Sequence, residues 1–290
     1  MTDAAPISVT RNGHRTFFKW HRGRRRLDDP VFTGRRIIEG MQAGASVEVD
    51  LVVHADGGMA VLHNLSLERE TTGTGLVAGT PAAVLRELNL RGNDGAPIAD
   101  KVMLLEDLAA LIARDGAHPD GLLQLDYKQD ATVLTPAIIR NFAEALAPVA
   151  GHFIVSSGDA ESVRLLTGAV PGIHIGYDPC HDGAIERLRA SRDYAAFVAG
   201  AVADSPHSEL DYLAWELVLA ADKDGFDIIG AFHAHGRRID AYTIRRVDET
   251  TLPIVERLLA LRVDQITTDD PEGMAAALAS YQVTVSEQQM

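Results

Sequence analysis

The strongest constraint on the fold is a rhythm. Short aliphatic or aromatic runs of strand length alternate along the chain with stretches whose apolar residues recur at helical spacing. The strand-like runs cover residues 16–20, a segment opening at Ser46, and residues 122–128, 152–156, 173–177, 211–215, 238–244 and 264–268. Helical patterns lie between them, at 35–43, 104–114 (Leu105, Leu108, Leu111, Ile112), 135–149, 160–167, onward through Ala199, on either side of Gly225, and at 250–261. Two parallel strands need a crossover long enough to hold a helix, so about eight strand–helix units in sequence predict a closed α/β (β/α)8 TIM barrel. The 290 residues then form a single domain, 1–290. The stretch at about 54–100 breaks the rhythm and reads as a small insertion after the second strand.

Within the second strand, residues 46–64 (SVEVDLVVHADGGMAVLHN) carry the densest chemistry. Side chains alternate along a strand, so Val47, Val49, Leu51 and Val53 share one face while Glu48 and Asp50 share the other. Paired carboxylates repel and hold each other's protons unless a cation or donor compensates. Taken alone, the pattern also fits a half-exposed strand with ordinary surface acids. The Asp56-Gly57-Gly58 turn then sends the chain back toward His63.

Other acids and bases fall at the carboxyl ends of the expected strands, where barrel sites assemble. His21 and Arg22 follow the first strand, and Asp126 and Lys128 share a face of the third. Three carboxylates, Glu48, Asp50 and Asp126, form an all-oxygen set suited to one divalent cation, Mg²⁺ or Ca²⁺, rather than zinc. His21 and His63 suit general acid–base work near neutral pH, and Arg22 and Lys128 suit a phosphate. Tyr242, Trp215 and Tyr177 sit where they can shape a pocket or pack in the core.

Other features read as structural. His54 is expected to face solvent beside the turn. His233 and His235 form an H-x-H pair with no matching carboxylates. The run Arg24-Arg25-Arg26 is either solvated surface or an anion-facing rim. Cys180 has no basic neighbour to activate it. The GTG of residues 73–75 lacks the Gly-Lys-Ser/Thr of a phosphate-cradling loop.

Composition narrows the partners. A formal net charge of −14 argues against nucleic acid, which needs clustered Lys and Arg; the basic run from His21 to Arg26 is a local exception that can equally serve a small anionic substrate. A single cysteine excludes an intrachain disulfide and suits a reducing compartment. The start has no apolar run behind a basic segment, and no window is long and apolar enough for stable membrane insertion. A cytoplasmic protein is expected, and its oligomeric state stays open.

The order of these residues resembles the glycerophosphodiester phosphodiesterase family. The likeness runs through HRG at His21, E-x-D at Glu48 and Asp50, D-G-G and His63, then LERETTGTG from Leu67 to Gly75. It continues through D-x-K at Asp126 and Lys128, DAYTI from Asp240, and the closing ITTDDP. It implies metal ligation by Glu48, Asp50 and Asp126, an acid–base pair of His21 and His63, and phosphate contacts from Arg22 and Lys128. The implied reaction releases glycerol phosphate and an alcohol through a cyclic phosphate. Asp126 is shorter than the family's usual Glu, Asn64 replaces an Asp, Tyr242 replaces a Trp, and the Pro-Glu-Asn usual after HRG is missing. The D-x-K motif is similar instead to sphingomyelinase D and phospholipase D barrels, which implies the alternative of a lyase that stops at the cyclic phosphate. The departures also leave open a non-catalytic barrel that binds phosphorylated ligands.

Overall fold

A computed structural model describes residues 5–288. Eight parallel strands close on themselves: β2 (His14–Trp20), β3 (Ser46–Val53), β7 (Leu122–Tyr127), β8 (Phe153–Ser156), β9 (His174–Tyr177), β10 (Leu210–Ala214), β11 (Arg238–Ile244) and β12 (Gln265–Thr268). Closure is made where β2 pairs with β12 on one side and with β3 on the other. The chain thus has the (β/α)8 barrel its alternation predicts.

Two additions lie outside the barrel order. An N-terminal β1 (Ser8–Arg11) pairs antiparallel with β2, which the sequence reading did not anticipate. After β3 the chain turns back as β4 (Met59–Val61), antiparallel to β3. It then runs through the short α2 (Ala82–Leu85) and a two-stranded sheet of β5 (Asn89–Arg91) and β6 (Pro97–Lys101) before rejoining the barrel. The insertion therefore carries secondary structure of its own.

The helices follow the apolar periodicity. They are α1 (Gly34–Ala43), α3 (Leu105–Asp115), α4 (Pro136–Leu146), α5 (Ala160–Gly168), α6 (Ala184–Ser191), α7 (Tyr194–Asp204), α8 (Trp215–Lys223), α9 (Ile228–His233), α10 (Leu252–Ala260) and α11 (Pro271–Gln288). Several start where their sequence dictates. The Thr135 hydroxyl caps α4 ahead of Pro136, and Asp159 accepts the Ser162 N–H at the start of α5. The helical stretch running through Ala199 is broken between α6 and α7, where Arg192 takes a left-handed φ of 55°. Trp215 opens α8 instead of ending β10, because the strand stops one residue earlier.

All eight residues of β3 are buried, acids included. Its aliphatic face packs outward under the helices, where each fully buried Val or Leu contributes about 1.5–3 kcal/mol. The other face points into the barrel, whose interior is unusually polar. Lys19, only 2% exposed, contacts Gln124, reaches Asp240 Oδ2 at 2.9 Å and lies over the Tyr212 ring at 4.2 Å. Gln124 donates to Ser156 Oγ at 2.8 Å, and Ser156 Oγ donates to Asp126 Oδ1 at 2.8 Å. Lys19, Gln124, Ser156 and Asp126 are thus paired in one chain, as burial demands, and they form a polar floor under the carboxyl ends of the strands. At the opposite end a buried Arg237–Asp211 pair, at 2.9 Å, ties the start of β11 to β10.

Candidate active site

Register brings the acids together. In the β3–β7 pairing Glu48 lies opposite Gln124 and Asp50 opposite Asp126, so the third acid stands beside the second on the neighbouring strand. Carboxylate oxygens of Glu48, Asp50 and Asp126 all lie within 4.8 Å of one another. Asp50 is fully buried, and burial, reinforced by the charge on Glu48, pushes its carboxyl up to about 6. Its oxygens receive no hydrogen bond: Lys128 Nζ at 2.7 Å and Arg22 Nε at 3.1 Å approach off the bonding direction. Asp126 is held differently. Burial opposes its charge, but the Lys128 ammonium in contact with it and the Ser156 hydroxyl bring its carboxyl below the usual range. Burial would lower the Lys128 ammonium, yet Asp126, Asp50 and Glu48 around it raise it overall.

The turn after β2 supplies the next two groups. Arg22 adopts a left-handed backbone, φ 55°, which aims its N–H at Glu48 Oε2, 2.8 Å away. Gly23 follows at φ 70°, and a Cβ there would stand 2.8 Å from Ile37 of α1, so both sterics and conformation require glycine. His21 is fixed between two acids: Nδ1 lies 2.5 Å from Asp269 Oδ1, and Nε2 lies 3.9 Å from Glu48 Oε2. Burial lowers the His21 imidazole below its ordinary value, more than Asp269 raises it.

His63 arrives by the hairpin. The His54 N–H bonds Gly58 O at 3.0 Å across the turn, and β4 then runs back along β3. A Cβ on Gly58 would stand 2.5 Å from His54 Nε2, so the turn closes over this ring. His54 is therefore buried, at 4% exposure, rather than solvent-facing as its sequence position suggests. Past β4, Glu70 Oε2 accepts the backbone N–H groups of both His63 and Asn64 at 3.0 Å, pinning the histidine's loop. Burial lowers the His63 imidazole as well.

His21, Arg22, Glu48, His63, Asp126 and Lys128 line one cavity of about 910 Å³ at the carboxyl end of the barrel. Tyr242 and Trp215 line it too, whereas Tyr177 is buried with its hydroxyl toward Asp204 and shapes no pocket. His233 lies at the other end of the barrel against Asp264, at 2.7 Å. Burial pushes the Cys180 thiol up, which keeps it unreactive. The arginine run divides: Arg24 lines the cavity, while Arg25 and Arg26 pair with Glu272 of α11 at 2.8 Å.

Several site groups escaped the sequence reading. Asp269 has a sequence signal, since it directly follows the last strand. Glu70 sits inside the LERETTGTG motif, but nothing in one sequence says that its carboxylate faces the His63 backbone. Asp178 and His181, paired at 2.9 Å on the loop after β9, line the cavity without any periodic or spacing signal.

Comparison with known proteins bears on the family and the fold. A profile described as the glycerophosphoryl diester phosphodiesterase family matches residues 35–273. No curated protein matches the chain significantly. Among solved structures, one from Agrobacterium tumefaciens assigned to the glycerophosphoryl diester phosphodiesterases superposes with a TM-score of 0.69 at 19% identity, covering 92% of this chain and 99% of that one. A phosphodiesterase from Oleispira antarctica, solved with its product sn-glycerol-3-phosphate, gives 0.62 at 20%, covering 90% and 96%. A glycerophosphoryl diester phosphodiesterase from Parabacteroides distasonis gives 0.61 at 18%, covering 97% and 89%. At these identities the likeness is one of fold.

Proposed function

The chain belongs to the glycerophosphoryl diester phosphodiesterase family, and from that premise we propose that it is a metal-dependent hydrolase cleaving small glycerophosphodiesters to glycerol phosphate and an alcohol. The observation that carries the reading is the set of three carboxylates within 4.8 Å, two of which, Glu48 and Asp126, line the same cavity as His21 and His63 while Asp50 is buried beside them. The donor set is all oxygen, and Asp50 has two buried oxygens without hydrogen bonds. That chemistry fits a hard divalent cation, Mg²⁺ or Ca²⁺, held by Glu48, Asp50 and Asp126. When bound, the ion would stabilise negative charge on the phosphoryl oxygens.

The chain's own residues account for the proton transfers. Asp269 engages Nδ1 of His21 and so leaves Nε2 free toward the cavity, as a general base requires. A glycerol hydroxyl gives its proton to that nitrogen while its oxygen bonds to phosphorus. The bond from phosphorus to the alcohol breaks, and His63 supplies the proton the alcohol takes. A bound phosphodiester anion favours the His63 imidazolium that this step needs, against the burial that disfavours it. Water then opens the cyclic phosphate with the roles reversed. Arg22 and Lys128 offer positive charge to the phosphate. The lone cysteine suits a reducing compartment such as the cytoplasm.

The test is turnover of glycerophosphodiesters followed by phosphorus NMR. His21→Ala and His63→Ala should each lower kcat by about 10²–10⁴-fold while remaining folded. Excess chelator should abolish turnover, and added Mg²⁺ or Ca²⁺ restore it. Full wild-type turnover in chelator would refute the metal role. A cyclic phosphate that persists would point to a lyase instead.

A further inference from the structure

Four arginines line the mouth of this cavity: Arg24, Arg69, Arg245 and Arg246. Arg24 follows β2, Arg69 lies in the insertion after β3, and Arg245 and Arg246 follow β11. Strands β11, β12, β2 and β3 are successive neighbours around the barrel, so these residues form one arc. The facing arc, after β9 and β10, bears Asp178 and Glu216.

Such an arc is unexpected on a chain with 27 basic and 41 acidic residues. Some exposed arginines elsewhere find carboxylates: Arg86 pairs with Glu106 and Asp107, Arg164 with Glu161, and Arg257 with Asp222. Among the described residues, the side chains of Arg69, Arg245 and Arg246 have no such partner, and several nearby acids bond to the backbone instead. Glu68 Oε1 accepts the Gly75 N–H at 2.6 Å, and Glu70 Oε2 accepts those of His63 and Asn64. Asp248 Oδ1 accepts the Thr250 and Thr251 N–H groups at 3.0 and 3.2 Å, while Thr251 Oγ1 donates to Arg246 O at 2.8 Å. The loops are thus held by their own acids, and the guanidinium groups are left to the cavity.

The reacting phosphate does not need them, since Arg22 and Lys128 already stand beside the carboxylates. Several unpaired guanidinium forks match the geometry and charge of a phosphate monoester. A quaternary ammonium would need open aromatic faces. The Tyr212 ring is already covered by the Lys19 ammonium at 4.2 Å, Trp215 adjoins Glu216, and the Tyr242 hydroxyl donates to Asp178 at 3.3 Å, so the remaining cavity aromatics sit with the acidic arc and not with the arginines. Arg69 belongs to the same insertion as His63, the proposed leaving-group acid, which places the arc on the alcohol's side. Arg24, 3.2 Å from Asp269, links it to the His21 pair.

We propose that the substrate carries a second phosphate on its leaving-group alcohol, bound by Arg69, Arg245 and Arg246 with Arg24 beside the reacting centre. The proposal rests on the phosphodiesterase reading above and names its substrate class.

The test compares three diesters with wild type and with the R245Q/R246Q double variant: glycerophosphoglycerol, the same diester phosphorylated at its far end, and glycerophosphocholine. Wild type should show kcat/KM about tenfold or more higher for the phosphorylated diester, chiefly through a lower KM. In the double variant that ratio should fall to about one. Equal kcat/KM for the first two, preference for glycerophosphocholine, or a ratio unchanged in the double variant would overturn the proposal. If no diester is cleaved, the phosphodiesterase reading fails separately. Calorimetry with glycerol bisphosphate and glycerol 3-phosphate then still reads the arc. Tighter binding of the bisphosphate by wild type, but not by the variant, supports it, and equal binding overturns it.

Discussion

Glu70 is the most informative single position outside the cavity wall. Its carboxylate is 7% exposed and one oxygen accepts two backbone N–H groups, those of His63 and Asn64, each at 3.0 Å. Hydrogen bonds to a charged acceptor contribute about 1.5–3 kcal/mol each, so Glu70→Ala removes roughly 3–6 kcal/mol of local tethering and leaves two backbone donors without this partner. The rest of the hairpin stays anchored by β4 on β3, so the loss falls mainly on the His63 loop. If about 3 kcal/mol of that tethering holds the imidazole in place, kcat falls by about 10²-fold, because each 1.36 kcal/mol is a factor of ten. KM should change little, since Glu70 does not line the cavity. Glu70→Gln keeps a carbonyl oxygen for both donors and should restore kcat to within about tenfold of wild type. The assay is steady-state kinetics on a glycerophosphodiester together with thermal unfolding of both variants. A Glu70→Ala enzyme that melts earlier yet keeps the wild-type kcat would refute the positioning role. So would a Gln variant as slow as the Ala variant.

The opposite end of the barrel should govern stability alone. Asp211→Ala leaves the Arg237 guanidinium buried without its partner at 2.9 Å, and urea unfolding should show a loss of about 3–5 kcal/mol with kcat/KM of the folded enzyme unchanged. A loss below about 1 kcal/mol would mean that the pair is dispensable. His54 predicts a pH dependence. Burial lowers its imidazole, so the unfolded chain binds a proton at higher pH than the folded one. Its contribution to stability is complete above the unfolded value near 6.5 and is lost as pH falls from there toward the lower folded value, by at most about 1.4 kcal/mol per pH unit. Urea unfolding at pH 7.5 and 5.5 should show a smaller acid-induced loss for His54→Gln than for wild type. An identical loss in both would exclude His54 as the source.

Local pattern determined the barrel. Strand and helix periods are properties of short windows, and eight alternations leave few other ways to bury the apolar faces. The same locality placed Glu48 and Asp50 on one face of β3 and put His21, Arg22 and Lys128 near strand ends. Local pattern failed where partners are distant in sequence. His54 looked solvent-facing because burial by a returning hairpin is not written in its neighbours. Trp215 looked like a strand end because a boundary shift of one residue leaves no mark on the period.

What only the tertiary structure decided is register and company. A slip of one residue between β3 and β7 would turn Asp126 away from Asp50; the observed pairing sets them side by side. Asp269 reaches His21 across 248 positions, and Lys19 reaches Gln124 across 105. Glu70 spends its carboxylate on the His63 loop, which leaves Arg69 free to face the cavity. A sequence states which groups a chain owns, and periodicity states which face they take. Which group neutralises which depends on strands closing into a ring, so the protonation of the site and the charge of its mouth belong to the folded chain alone.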